Sequence, residues 1–101
     1  MDTNTLFTLS KHAQAQARRR GISQRSLQLI IDFGEFYWAG SGSNSYYLSK
    51  RKYQWLVKHK RLSSDEIYTL RDVISCAVIA SDQTIITVMH APRPPKHWRA
   101  A

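Results

Sequence analysis

Four serines, Ser10, Ser23, Ser49 and Ser63, each stand directly before a stretch of helical character, and they punctuate the 101-residue chain into helices that alternate with strand-like runs. A serine hydroxyl accepts from an otherwise unsatisfied N–H of the first helical turn, so each position marks a helix start. After Ser10, Ala13, Ala15 and Ala17 favour a helix. Arg18 to Arg20 then oppose the negative end of its dipole, and Gly21 permits a left-handed close. Ser23 caps a second helix, with Ile22 and Leu27 spaced as a hydrophobic staple and Leu27, Ile30 and Ile31 as its inner stripe up to Gly34. Ser49 caps a third from about Lys50 to Lys60, with Tyr53, Leu56 and Val57 turned inward. Ser63 and Glu66 have capping-box spacing and predict a short fourth helix to near Arg71, with Ile67 and Leu70 inward.

The intervening runs read as strands. Glu35 to Ala39 and Tyr46 to Leu48 flank the loop Gly40-Ser-Gly-Ser-Asn-Ser45 and predict a hairpin. Val73 to Ser81 and Thr84 to Met89 are rich in β-branched residues around Asp82-Gln83, which predicts a second, tight hairpin at the centre of the sheet. From Ala91 the chain carries Pro92, Pro94 and Pro95, which cannot donate to a ladder, so an extended surface tail is expected. Trp98, between His97 and Arg99, either docks back on the domain or touches a partner. The expected architecture is α+β: N-terminal helices packed on a small antiparallel β-sheet, with one domain over residues 1–91 and a basic, proline-rich tail over 92–101.

Charge narrows the function. Fifteen Lys and Arg against seven acidic residues give +8, and the isoelectric point near 10.1 makes a polyanion the first partner to consider. The cations form three blocks: Arg18 to Arg20 with Arg25; Lys50 to Lys52 with Lys58, Lys60 and Arg61; and Arg93, Lys96 and Arg99. Asp65, Glu66 and Asp72 cluster elsewhere, so the carboxylates are expected away from the cationic cleft. The longest apolar run, Val73 to Ala80, is far too short to span a bilayer, and the N-terminus lacks signal-peptide order; no membrane contact and a cytoplasmic location are expected. Cys76, the single cysteine, lies in that run and reads as a small buried residue. There is no phosphate-binding glycine loop and no His-x-x-x-His pair, so neither metal nor cofactor is expected.

At helical spacing His12, Gln16 and Arg20 share one face, and His90 falls where the last strand meets the tail. Cleavage of RNA without metal needs a base for the 2′-hydroxyl proton, an acid for the leaving 5′-oxygen and a cation for the charged phosphorane. Two imidazoles and an arginine suit those roles, so His12, His90 and Arg20 are the candidate catalytic residues. Arg18, Arg19, Lys50, Arg51, Lys52 and Arg93 are the candidate nucleic-acid contacts. Tyr37, Trp38, Tyr46 and Tyr47 either stack on bases beside the basic face or belong to the core.

The segments Leu9-Ser-Lys-His12-Ala13, Arg20-Gly-Ile-Ser23, Phe33-Gly-Glu35, Tyr47-Leu-Ser-Lys-Arg51, Val78-Ile-Ala-Ser-Asp82 and Ile86-Thr-Val-Met-His90 together resemble a family of small uncharacterised bacterial proteins. That family is similar to the RelE-like and BrnT-like toxins and to the wider barnase, EndoU, colicin and RelE group of ribonucleases. The resemblance implies a RelE/barnase-like fold and an RNA-cleaving toxin, or a relative that has lost cleavage. It puts His12, Arg20, Thr87 and His90 at matching positions and adds Thr87 to the RNA contacts, beside Tyr47 from the base-stacking aromatics. It departs at Gln16 and Ala91, where relatives often carry arginine; Arg19 and Arg93 are the available substitutes. The expected partners are therefore RNA or other nucleic acid and an antitoxin or other acidic protein that covers the basic face. The competing reading is a non-catalytic module of a phage or mobile element that holds nucleic acid or blocks a host complex.

Overall fold

The computed structural model describes residues 7–38, 40 and 42–100; Ala39 and Ser41 of the expected first hairpin, residues 1–6 of the expected domain and Ala101 of the expected tail lie outside the described residues. All four serines cap as their positions predict. Each accepts from the backbone N–H three residues on, Ser10 from Ala13, Ser23 from Ser26, Ser49 from Lys52 and Ser63 from Glu66. They open α1 (Lys11–Arg20), α2 (Gln24–Phe33), α3 (Lys50–Lys58) and α4 (Ser64–Arg71). The Ser63 box is complete, since the Glu66 carboxylate accepts the Ser63 N–H at 2.8 Å. Helix α1 closes on Gly21 at φ 68°, whose N–H reaches Arg18 O while the Ile22 N–H reaches Ala17 O. Helix α3 ends with the same pair of bonds, Lys60 N–H to Val57 O and Arg61 N–H to Leu56 O, but there the left-handed position is held by Lys60 at φ 54°.

The strands are β1 (Thr8–Leu9), β2 (Glu35–Trp38), β3 (Asn44–Tyr47), β4 (Cys76–Ser81), β5 (Thr84–His90) and β6 (Arg99–Ala100), joined in one sheet of order β1-β5-β4-β3-β2-β6. The fold is α+β, with the helices packed on this sheet. Four of its five pairings are antiparallel, and β1 runs parallel to β5, which makes the sheet mixed rather than antiparallel throughout. Val73 to Ser75, expected in the strand, form a turn instead, because Ser75 takes φ 72° and donates to Leu48 O. Ile79 pairs with Thr87 and Ala80 with Ile85, so Ile86 is an extra residue in β5. That bulge keeps Ile85 and Val88, three apart in sequence, on one face of the sheet.

On that face Cys76, Val78, Ala80, Ile85 and Val88 meet Ala13 and Ala17 of α1, Leu27 and Ile30 of α2, and Leu70 of α4. Each large apolar side chain buried there contributes on the order of 1.5–3 kcal/mol. Val57, expected inward, is exposed, and α3 is held instead by Leu56 and by the Tyr53 hydroxyl, which donates to Ile67 O at 3.1 Å. The tail corrects its expected place outside the domain. Residues Arg99 and Ala100 add a strand to β2, and Trp98, 7% exposed, covers Tyr47 and Ala77 on the other face. The prolines are compatible with this because they lie in the crossing segment, before the paired residues.

Gly34 sits where α2 turns into β2 against β3. A Cβ there would come within 2.5 Å of Ile30 O and 3.1 Å of Tyr47 O, both backbone atoms. Gly34→Ala should therefore cost about 1–3 kcal/mol through forced backbone movement, read as a lowered midpoint with unchanged slope in urea unfolding. An unchanged midpoint would contradict this close approach.

Candidate cationic cleft

Helix α1 lies along the outer edge of β5 and runs in the same direction. Its start is tied where the Ser10 N–H donates to Ile85 O at 2.9 Å, and its middle where Gln16 Oε1 accepts the Val88 N–H at 2.8 Å. Ala13 and Ala17, both buried, let the helix approach the strand closely. The C-terminal turn of α1 therefore arrives beside the C-terminal end of β5. Arg19, Arg20, Ile22, Asp72, Cys76 and His90 line an open cleft of about 370 Å³ at that junction. Because His90 pairs with Cys76 across the sheet, the imidazole and the thiol belong to the same face.

Arg20 and His90, expected together, do meet in this cleft, and Arg19 joins them. His12 does not. It stands eight residues before Arg20 on an unbroken helix, about 12 Å away along the axis at 1.5 Å per residue, beside the Ile86 end of β5 rather than the His90 end. Equal spacing on one helical face places side chains in a row, not at one point, and a row along β5 separates the two histidines. Gln16, the residue between them, is occupied by the Val88 N–H.

The carboxylates were expected elsewhere, and Asp72 corrects this. It caps α4, and the short turn from Val73 to Ser75 brings that helix end down beside Cys76. Asp72 also lies 3.9 Å from Arg71 Nε. The sequence signal was available in its position just before the apolar run of β4, but not the direction in which the turn would carry it. Among the described residues no three His, Cys, Asp or Glu side chains converge as a metal site.

The remaining candidates separate. Arg18, Lys50, Arg51 and Arg93 are exposed and outside the cleft lining. Lys52 is half-buried, with Nζ 4.9 Å from the Trp55 ring centroid. Thr87 alternates with Val88 and so points to the sheet face opposite His90. Tyr47 is corrected as an RNA contact: it is buried beneath Trp98, and its hydroxyl donates to Ala91 O at 2.7 Å. Sequence reasoning counted Arg61 in the second cationic block but missed Trp55 and His59 beside it. The indole of Trp55 is 43% exposed, the His59 ring stacks on it at 4.4 Å, and Arg61 lies 5.8 Å away. The spacing of Trp55 and His59, four residues apart at the end of a cationic helix, was the signal.

Burial pushes the Cys76 thiol up from its ordinary value of 9.0, and the neighbouring Arg20 pulls only partly against this. The thiol is therefore neutral near pH 7 and is no nucleophile there. A raised folded pKa means that its contribution to stability is complete below the unfolded value and is lost as pH climbs through the folded one. Stability should accordingly begin to fall above about pH 9, and Cys76→Ala should remove part of that fall. Thiol reagents should label the native protein far more slowly than the unfolded chain, and equal rates would refute the buried assignment.

Gln16 yields a second expectation, because its place requires an acceptor. Gln16→Arg, although closer to the toxin pattern, turns a donor toward the Val88 N–H and should cost about 1–3 kcal/mol; Gln16→Glu should keep the bond, and the two are compared by urea unfolding. No family model, curated protein or solved structure matches the chain.

Proposed function

We propose that the chain is a metal-independent endoribonuclease of the toxin–antitoxin type. The observation that carries this reading is the convergence of Arg19, Arg20 and His90 with Asp72 in one open cleft of a chain with charge +8. RNA brings its own nucleophile, the 2′-hydroxyl. In the proposed reaction Asp72 takes the 2′-hydroxyl proton, the 2′-oxygen bonds to phosphorus, and the bond from phosphorus to the 5′-oxygen breaks. His90 gives its proton to the departing 5′-oxygen, and a 2′,3′-cyclic phosphate remains on the other fragment. Arg19 and Arg20 face the non-bridging oxygens, whose charge grows in the transition state. His12, at the far end of α1, takes no part. An acidic antitoxin that covered this cleft and the neighbouring cations would silence it.

A second reading is favoured by one observation: among the described residues no hydrogen bond orients the His90 ring, whereas a working acid is normally held by a neighbour. On that reading the cleft holds a phosphate without cutting, as in a module of a phage or mobile element. Incubating single-stranded RNA with the protein and a chelator separates the two. Cleavage should leave 2′,3′-cyclic ends and a bell-shaped pH profile, and His90→Ala or Asp72→Asn should each slow it by about a hundredfold or more. Arg20→Ala should also slow it, and His12→Ala should not. A loss at His12→Ala as large as at His90→Ala would restore the two-histidine arrangement; binding without cleavage would select the non-catalytic module.

A further inference from the structure

We propose that the outer face of α3 is a docking surface for a single strand of nucleic acid, with one base stacked on Trp55 and the flanking phosphates on the cations around it. This rests on the nucleic-acid reading above and extends it to a surface separate from the cleft.

Between Phe36 and Ser64 the chain has no acidic residue, while α3 and the turn after it carry Lys50, Arg51, Lys52, Lys58, Lys60 and Arg61. An uninterrupted cationic surface complements a phosphate backbone. Two of its features run against local stability. Lys50 to Lys52 occupy the first turn of α3, where the helix dipole is already positive and no acidic residue offsets it. Lys60 holds a left-handed backbone, at φ 54°, that glycine adopts without strain. Positive charge is thus kept at positions where folding alone would remove it.

The indole adds what charge cannot. The stacked His59 ring, with Nδ1 2.9 Å from Trp55 O as its donor, fixes the orientation of the indole before any ligand arrives. Lys52 Nζ rests near the same ring on a flexible stem. An incoming base displaces that ammonium, which is then free to reach the strand's phosphate. Base stacking on an exposed aromatic beside cations is the way single strands are held; a duplex keeps its bases stacked inside. An acidic protein would meet the charge but would leave the preset indole unexplained.

Helix α3 also starts at the end of the sheet where the cleft lies. The Leu48 N–H donates to Cys76 O, Leu48 O accepts from Ser75, and Ser75 O accepts from Ala91. These bonds tie the exit of β3, and hence the start of α3, to the same end of the sheet as His90.

The test uses a fluorescently labelled oligothymidylate dodecamer, which lacks the 2′-hydroxyl and cannot be cleaved, with anisotropy read over a salt series. Trp55→Ala should weaken binding about tenfold or more without changing the salt slope, and Trp55→Phe should restore most of the loss. Lys58→Ala should lower the slope by about one. Trp38→Ala, at a still more exposed tryptophan on the first hairpin, should change neither, and a matched DNA duplex should not respond to Trp55→Ala. Circular dichroism confirms that each variant is folded. Normal binding by folded Trp55→Ala overturns the α3 surface while leaving the nucleic-acid reading intact, and a loss at Trp38→Ala instead moves the site to the hairpin and overturns it as well. If the unmodified protein binds no dodecamer, the α3 surface fails while the RNA-cleavage assay decides the cleft on its own; if it then binds polyglutamate, the α3 partner is an acidic protein.

Discussion

The seam between α1 and β5 is the contact on which both the fold and the cleft depend. Strand β1 covers only the first two residues of β5, and an uncovered strand edge would leave backbone groups free to pair with other chains. The helix closes the rest of that edge. Ser10 takes up the start, Gln16 takes up the Val88 N–H, and Ala13 and Ala17 are small enough to let the helix lie close. Because helix and strand run in the same direction from adjacent starts, their ends coincide. That coincidence, rather than any local motif, brings Arg19 and Arg20 to His90.

The arginines of α1 and the lysines of α3 carry like charge with different meaning. At the C-terminal turn of α1, cations interact favourably with the dipole and stabilise the helix. Their presence is explained by folding alone, and only their place beside His90 admits them to the proposed site. In the first turn of α3 the same charge is unfavourable, and at Lys60 it occupies a strained backbone. Lys11 and Arg25 also stand in first turns, and Ser75 and Asp82 also take a left-handed backbone, so what sets α3 apart is three consecutive cations in one first turn with Lys60 at the other end.

Local signals in the sequence were legible wherever one residue determines the outcome within a few neighbours. The four serine caps, the Gly21 close, the Ser63 box and the tight turn at Asp82 are all such cases. What could not be read is what depends on pairs far apart in the chain. The parallel strand at Thr8, the return of Arg99 to β2 and the burial of Tyr47 under Trp98 each join segments separated by tens of residues. The bulge at Ile86 shifts every later residue of β5 by one face, and no residue type announces it. The candidate site divides in the same way. Arg20 and His90 were found because each stands at the end of an element; Asp72 was missed because a turn of three residues delivers it.

Ser75 shows how the same few atoms hold the sheet and shape the site. Its left-handed backbone costs on the order of 1–2 kcal/mol for a residue with a Cβ, yet it lets the N–H reach Leu48 O while the carbonyl accepts from Ala91. Those bonds fasten the ends of β3, β4 and β5 together, one residue before Cys76 and one after His90. A strained residue survives only where its surroundings over-determine it. Here the surroundings are the strand ends that carry His90 and launch α3, so the strain is held where those ends are fastened together.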